Sequence, residues 1–429
     1  MIHTFRHIWA LLLGTAVLWF GTGMLYILVV VRAREAGFST QSIGLMQSSY
    51  QVGWLIAAML IPFLIRHVGH VRVFGAVAAL GSAVILTHLL LIDPYAWIAE
   101  RMIMGICTAG LMVATESWLN DLSENKDRGK TMAIYTILSW GAPVIGIWVL
   151  RYGNIYDSSF FLLSSILLSV GAIPVLISAS RTPSLIAVER FSILRLYRAT
   201  PVGVVGTFLA GLCHGGLYAS ASLYGVAIDL SVAEISTLSA IALVVGVLLQ
   251  WPIAIVSDRM DRRTLLVITA SLATAPAVYF SLKPALSITE IYIAMGAMGA
   301  FVLGMYSQCV AHVNDHLKPN QIVSAAGSLV LTYGIGYAIT PVVIGFLLPL
   351  SPRSFFWVNS FCAGSLALFV LYRMTRREAV EDQGELIPVP TASPYGTVVS
   401  AAEVWGEETV SEESSEPDTI NGVEDEKAQ

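Results

Sequence analysis

The sequence predicts an all-α polytopic membrane protein, with twelve transmembrane helices arranged as two six-helix bundles. Three observations point there. The 429-residue chain is 56% hydrophobic and only 12% charged, whereas a soluble domain carries about 25% charged residues. Its apolar residues fall into twelve runs of roughly 17–25 residues, the length at which a helix crosses a bilayer core. The second half also repeats the first. At an offset of 192 residues, Gly14-Thr15 returns as Gly206-Thr207, Gly23 as Gly215, Leu25-Tyr26 as Leu217-Tyr218 and Ser39 as Ser231.

The first run, 8–31, follows Arg6. It is too long for a signal-peptide core and no small-residue cleavage site follows it, so it reads as a retained helix. Runs at 43–65, 72–92, 95–118, 130–150 and 159–179 complete the first half, separated by short polar turns. A longer polar stretch, 181–200, reads as a cytoplasmic linker. The second half holds runs at 201–223, 235–256, 264–282, 287–310, 322–348 and 354–374. Further correspondences support the repeat. Asn120-Asp121 after the fourth run matches Asn314-Asp315 after the tenth, and Pro143-Val-Ile-Gly146 resembles Pro341-Val-Val-Ile-Gly345. The expected domains are therefore a bundle over 1–180, the linker 181–200, a bundle over 201–375 and a tail over 376–429. Parallel repeats of this kind place a binding site between the halves near the midplane.

Charge orients the chain. With the N-terminus in the cytoplasm, the inner loops up to Arg377 hold 17 Lys and Arg and the outer loops five. That bias places both termini inside. The net charge of -5 hides two opposed regions. From Glu378 onward there are 14 acidic residues against one lysine, while residues 1–377 hold 23 basic and 15 acidic residues. So acidic a segment buries too little surface to fold alone and reads as a disordered cytoplasmic tail. The four cysteines, Cys107, Cys213, Cys309 and Cys362, lie far apart inside apolar runs, as small core residues do.

Two loops stand out. Between the eighth and ninth runs lies Asp258-Arg259-Met-Asp261-Arg262-Arg263. Between the second and third lies Arg66-His67-Val68-Gly69-His70-Val71-Arg72. An Asp with several Arg at a helix–loop–helix junction can cap and lock two helices. With this pattern in place, the chain resembles the major facilitator superfamily of secondary transporters. Asp258-Arg259-x-x-Arg262-Arg263 is similar to the family's loop motif, with Ala254 where a Gly is usual. The first copy keeps Gly69 and Arg72 but has Arg66 where the Asp is expected. Arg101-x-x-x-Gly105 resembles the family's Arg-containing motif, which is tied to proton coupling. A closer likeness is to the YcaD-like branch of bacterial inner-membrane transporters, carried by Ser49-Tyr50-Gln-Val-Gly53, Thr115-Glu116-Ser117-Trp118-Leu119, Leu249-Gln250-Trp251-Pro252 and Asn314-Asp315-His316. The resemblance covers about residues 8–374. It implies the major facilitator fold, an alternating-access cycle, and loops around Gly69 and Asp258 that hold the inner side closed when the cavity opens outward.

Ionisable groups inside spans are functional candidates. Glu100 and Arg101 lie within the fourth run, and adjacent helical residues point about 100° apart, so the two cannot both face one partner. Glu100 would carry a proton, with Arg101 biasing it or holding an anion; alternatively both snorkel to the outer interface. Glu116, Asn120, Asp121, Asn314 and Asp315 form polar collars at the inner ends, where Glu116 could accept a proton or clamp Lys126 or Arg128. His214 sits mid-span beside Gly215-Gly216, as a titrating group or as a neutral hydrogen-bonded one. His312 and His316 have a metal-like spacing but lack a clear third ligand, so a structural contact is expected and no metal. In the resembled family the first, fourth, seventh and tenth helices line the cavity, which singles out Tyr26, Tyr218, Tyr306 and Gln308.

No enzyme constellation or phosphate loop is present, and the basic loops follow topology rather than forming a nucleic-acid patch. The expected protein is a monomer in the bacterial cytoplasmic membrane, without cofactor, moving a small solute by proton-coupled antiport or symport, with export slightly favoured over uptake. The alternative is a non-transporting membrane sensor or assembly factor that keeps the fold.

Overall fold

In the computed structural model, twelve helices among the described residues are long and apolar enough to cross a membrane. The structure describes residues 2–122, 125–177, 192–257, 259–317 and 319–376; side chains at 2–8, 120–121, 125–130, 132, 319–320 and 323–324 lie outside the description. The first half comprises α1 (Ile2–Glu35), α2 (Thr40–Val68), α3 (His70–Leu90), α4 (Pro94–Leu122), α5 (Asn125–Val149) and α6 (Ser159–Ile177). A short helix α7 (Ile193–Ala199) lies in the link between the halves. The second half comprises α8 (Pro201–His214), α9 (Ala221–Ala227), α10 (Val232–Ser257), α11 (Arg262–Leu282), α12 (Ile288–Asn314), α13 (Pro319–Leu347) and α14 (Ser354–Met374). The tail from 377 and the link residues 178–191 lie outside the described residues.

Polar residues between the apolar runs set the helix ends. Ser39 caps α2 by accepting the Ser42 N–H at 3.2 Å. Ser287 and Glu290 form a reciprocal capping box on α12. Asp261 caps α11 by accepting from the Arg263 N–H. Thr200 caps α8 with Pro201 in the first turn, where a missing N–H does no harm. Gly69 has φ +88° and joins α2 to α3 with no further loop residue. An L side chain is strained there, so this glycine is needed for the turn itself.

In the first bundle α1 packs on α5 and α6, α2 on α4, and α3 on α4 and α6. In the second, α8 packs on α12, α13 and α14, α10 on α12, and α11 on α12 and α14. The repeated glycines Gly23 and Gly215 have a shared packing role. A Cβ on Gly23 would lie 2.4 Å from Pro143 O, and one on Gly215 2.2 Å from Tyr337 O. Each lets the first helix of its half touch the backbone of the fifth, as small residues do between membrane helices. Large apolar side chains such as Trp251, Phe361 and Leu368 project outward from the bundles.

One span departs from the predicted continuous helix. The run 201–223 is broken into α8, a π-helical turn at Gly215–Ala219, and α9.

Candidate functional site

The two bundles meet at the face remote from the described chain ends, here the distal face; the opposite one is the terminal face. Arg34 pairs with Asp229 at 3.5 Å on the distal surface. Further in, the Tyr26 hydroxyl donates to Tyr218 O at 2.6 Å and the Gln47 amide donates to Ala219 O at 2.9 Å. The π turn explains why those carbonyls are available. A π-bulge interrupts the regular ladder, and side chains then satisfy its oxygens. Ser220 donates to Gly215 O at 2.9 Å and Asn359 to Gly216 O at 3.2 Å. Tyr26 and Gln47 of the first bundle take those of Tyr218 and Ala219. Alongside, α2 lies against α13, with Gly44 facing Pro341 O and Gly345 facing Thr40 O.

On the terminal side of this seal, between the bundles, lies a cavity of about 280 Å³. Its wall is aromatic: Trp19, Trp54 and Trp140, with Tyr26, Tyr50, Tyr218, Tyr306, Tyr333 and Tyr337. Tyr306 and Tyr333 rings approach to 4.7 Å. His214 joins the wall between Tyr218 and Tyr333, with ring centroids at 5.6 and 5.4 Å. Its Nδ1 lies 2.8 Å from Ala210 O. Among the described residues the lining contains no Asp, Glu, Lys or Arg.

Glu100 and Arg101 point to different places. Arg101 is 3% exposed and faces α2 and the cavity wall. Its Nη2 donates to Gln47 Oε1 at 3.4 Å, and its Cζ stands 4.4 Å over the Tyr50 ring. Glu100 faces α3, where its Oε2 lies 3.2 Å from His88 Nδ1. The same nitrogen lies 2.9 Å from Val84 O, and Trp97 and Phe161 enclose the imidazole. As expected of neighbours about 100° apart on a helix, the two face different elements, Glu100 α3 and Arg101 α2.

The remaining candidates sit away from the cavity. Gln308 accepts from the Thr269 hydroxyl at 3.2 Å, tying α12 to α11. Glu116 is buried against Tyr135 of α5; Lys126 and Arg128, its expected partners, lie outside the described side chains, as do Asn120 and Asp121. Asp258 lies outside the described residues altogether. Arg72 and Arg259 are exposed. Arg263 reaches back to Asp261 at 3.3 Å. Asn314 ends α12, and His312 and His316 beside it approach at 4.4 Å between ring centroids. No group of three His, Cys, Asp or Glu suited to a metal gathers among the described residues.

The buried pair in the second loop motif is Arg262 with Asp315, 3.2 Å apart and at most 6% exposed. It joins the start of α11 to the end of α12. Removing one member of a buried ion pair is strongly destabilising, typically by about 3–5 kcal/mol, because the other loses an opposite charge in a site shielded from water. Arg262→Ala is thus expected to lower the unfolding temperature sharply, and the Arg262→Met/Asp315→Leu double variant to lose less than the two single variants together. Additive losses in a thermal double-mutant cycle would mean that the pair is not coupled.

Sequence reasoning passed over Tyr337 and the π turn. Tyr337 stands one helical turn beyond Tyr333, so the i, i+4 spacing could have placed both on one wall. The Gly215-Gly216 pair was the sole local sign of the break.

The sequence model described as Major Facilitator Superfamily matches residues 11–227 and again 203–410. The chain is 25% identical over 374 residues to the uncharacterized MFS-type transporter YcaD of Escherichia fergusonii, covering 86% of this chain and 96% of that one. It is 26% identical over 339 residues to the corresponding Escherichia coli protein, covering 78% and 87%. Among solved structures, the nucleoside transporter NupG superposes with a TM-score of 0.69 at 14% identity, covering 86% of this chain and 99% of that one. A bacterial homolog to the human lysosomal transporter Spinster, in an inward-facing and unoccupied conformation, superposes at 0.64 with 12% identity, covering 94% and 98%.

Proposed function

This chain belongs to the major facilitator superfamily, and we propose that it is a proton-coupled secondary transporter that moves a small solute across the bacterial inner membrane by alternating access, exporting rather than importing it. The observation that carries this reading is the aromatic cavity between two bundles that are tied together at the distal face. Rocking about that arrangement would break the Tyr26 and Gln47 contacts with the π turn and expose the same cavity on the other side. The excess of basic residues in the loops at the terminal face supports a cytoplasmic location for that face and both termini. The apolar, uncharged lining favours a largely apolar solute, which supports export.

Glu100 is the carboxylate we assign to the proton. It is buried beside His88, away from the solute cavity, so proton and solute would occupy separate sites linked through α4. The experiment begins with a ligand library read by thermal stabilisation of the purified chain. A ligand at a hundredfold excess over its Kd contributes about 2.7 kcal/mol to the folded state. The best hit is then followed in proteoliposomes. Accumulation driven by a pH gradient is expected, and Glu100→Gln should reduce it to simple equilibration while ligand binding persists. Gradient-driven accumulation unchanged in Glu100→Gln would remove Glu100 from coupling. Binding with no flux at all would favour a sensor over a transporter.

A further inference from the structure

We infer that the solute is a monovalent organic anion with a flat apolar body, its charge held by Arg101; this rests on the cavity between the bundles being the solute site. Arg101 is a buried cation without a counter-charge. No carboxylate pairs with it among the described residues: its contacts are the Gln47 amide oxygen at 3.4 Å and the Tyr50 ring face at 4.4 Å, and its Nε makes no hydrogen bond. Glu100, next to it in sequence, is turned to His88 of α3. A buried charge normally has a partner of opposite sign. Here the missing partner has a place to come from. Tyr50 lies against the guanidinium and also lines the cavity, with Tyr26 in the same wall. The cation and the cavity are therefore separated by little more than a tyrosine ring.

The rest of the wall sets the rest of the ligand. Tryptophan and tyrosine faces suit a flat ring system through offset or edge contacts. A lining without fixed charge offers a second ionic group no partner, so a dianion is excluded as the preferred solute. On the second bundle, His214 lines the cavity and its imidazole can meet one polar substituent. An aromatic box also attracts cations, but the uncompensated guanidinium beside it repels them.

The test uses the detergent-purified full chain and an isosteric set: 2-naphthoate, 2-naphthamide, 2-naphthylmethylammonium and 2,6-naphthalenedicarboxylate, each titrated calorimetrically. A charge-assisted contact predicts that 2-naphthoate binds at least about tenfold more tightly than the amide, the ammonium or the dianion. R101Q should erase the preference over the amide and leave amide affinity within about twofold of the parent, while R101K retains part of it. Without ligand, R101Q and R101M should unfold at or above the parent's temperature, since an uncompensated buried cation has been removed. The inference is overturned if the amide, the ammonium or the dianion binds as well as 2-naphthoate, if no member binds, if R101Q keeps the preference, or if both R101Q and R101M unfold at lower temperature. Proteoliposomes separate this from the transport reading. Naphthoate bound through Arg101 but never carried would sink transport and leave the anion class standing; amide carried in preference to naphthoate would do the reverse.

Discussion

Replacing Gly53 with valine is expected to abolish folded protein. Gly53 and Gly105 form the crossing of α2 and α4. A Cβ on Gly53 would lie 2.0 Å from Met102 O and 3.0 Å from Ile106 N. A Cβ on Gly105 would lie 2.0 Å from Tyr50 O and 3.2 Å from Gly53 Cα. The obstructing atoms are backbone on both sides, so no rotamer change relieves the clash. Overpacking absorbed by side chains typically destabilises by about 1–3 kcal/mol. Here the helices themselves must part, which places the effect at or above that range. Parting them would also draw Gln47 and Tyr50 away from Arg101, so even Gly53→Ala should weaken the site. Gly141 and Gly327 supply the control, because a Cβ there meets nothing within 4 Å. Alanine at either should leave stability unchanged or raise it by up to about 1 kcal/mol through helix propensity. Size-exclusion profile and unfolding temperature of the detergent-purified variants read both results. A Gly53→Val protein that elutes and melts like the parent would refute the backbone-contact argument.

That crossing also marks the limit of what the sequence could convey. Hydropathy and the 192-residue repeat were enough for twelve helices in two bundles, because span length and paired residues such as Gly23 and Gly215 are properties of the string itself. The aromatic and histidine candidates Tyr26, Tyr218, Tyr306 and His214 do sit on the cavity wall. The direction of Glu100 and Arg101 was not readable. Adjacent helical residues point about 100° apart, but which one faces the cavity is set by the rotation of α4, which depends on packing against α2 at Gly53 and Gly105 and against α3. Gln308 went astray similarly: its helix lines the cavity, but its side chain bonds Thr269. The π turn is harder still, since Gly215–Ala219 has a composition that an unbroken helix would accept; its stability comes from Ser220, Asn359, Tyr26 and Gln47, residues remote or beyond the break.

Valine at Gly44 should act differently from valine at Gly53, although both lie on α2. A Cβ on Gly44 would stand 2.5 Å from Pro341 O and 3.1 Å from Gly345 Cα, and a Cβ on Gly345 2.7 Å from Thr40 O. These atoms belong to opposite bundles. The clash therefore exists only while the distal face is closed, and each bundle can fold around its own core without meeting it. A penalty of about 1–3 kcal/mol confined to one of two states shifts their ratio roughly five- to 150-fold, since each 1.4 kcal/mol is a factor of ten. The expected product is a well-folded protein that favours the distal-open arrangement. A single cysteine at Trp54, in a background with Cys107, Cys213, Cys309 and Cys362 replaced, should report it. With a membrane-impermeant maleimide, labelling from the distal side should rise at least about fivefold and labelling from the terminal side should fall. Parent-like labelling from both sides in Gly44→Val would mean that the α2–α13 contact is not what closes the distal face. Aggregation of Gly44→Val would mean that the contact is needed for folding rather than for gating. The pair of substitutions thus separates the contacts that build a bundle from those that two bundles make and release.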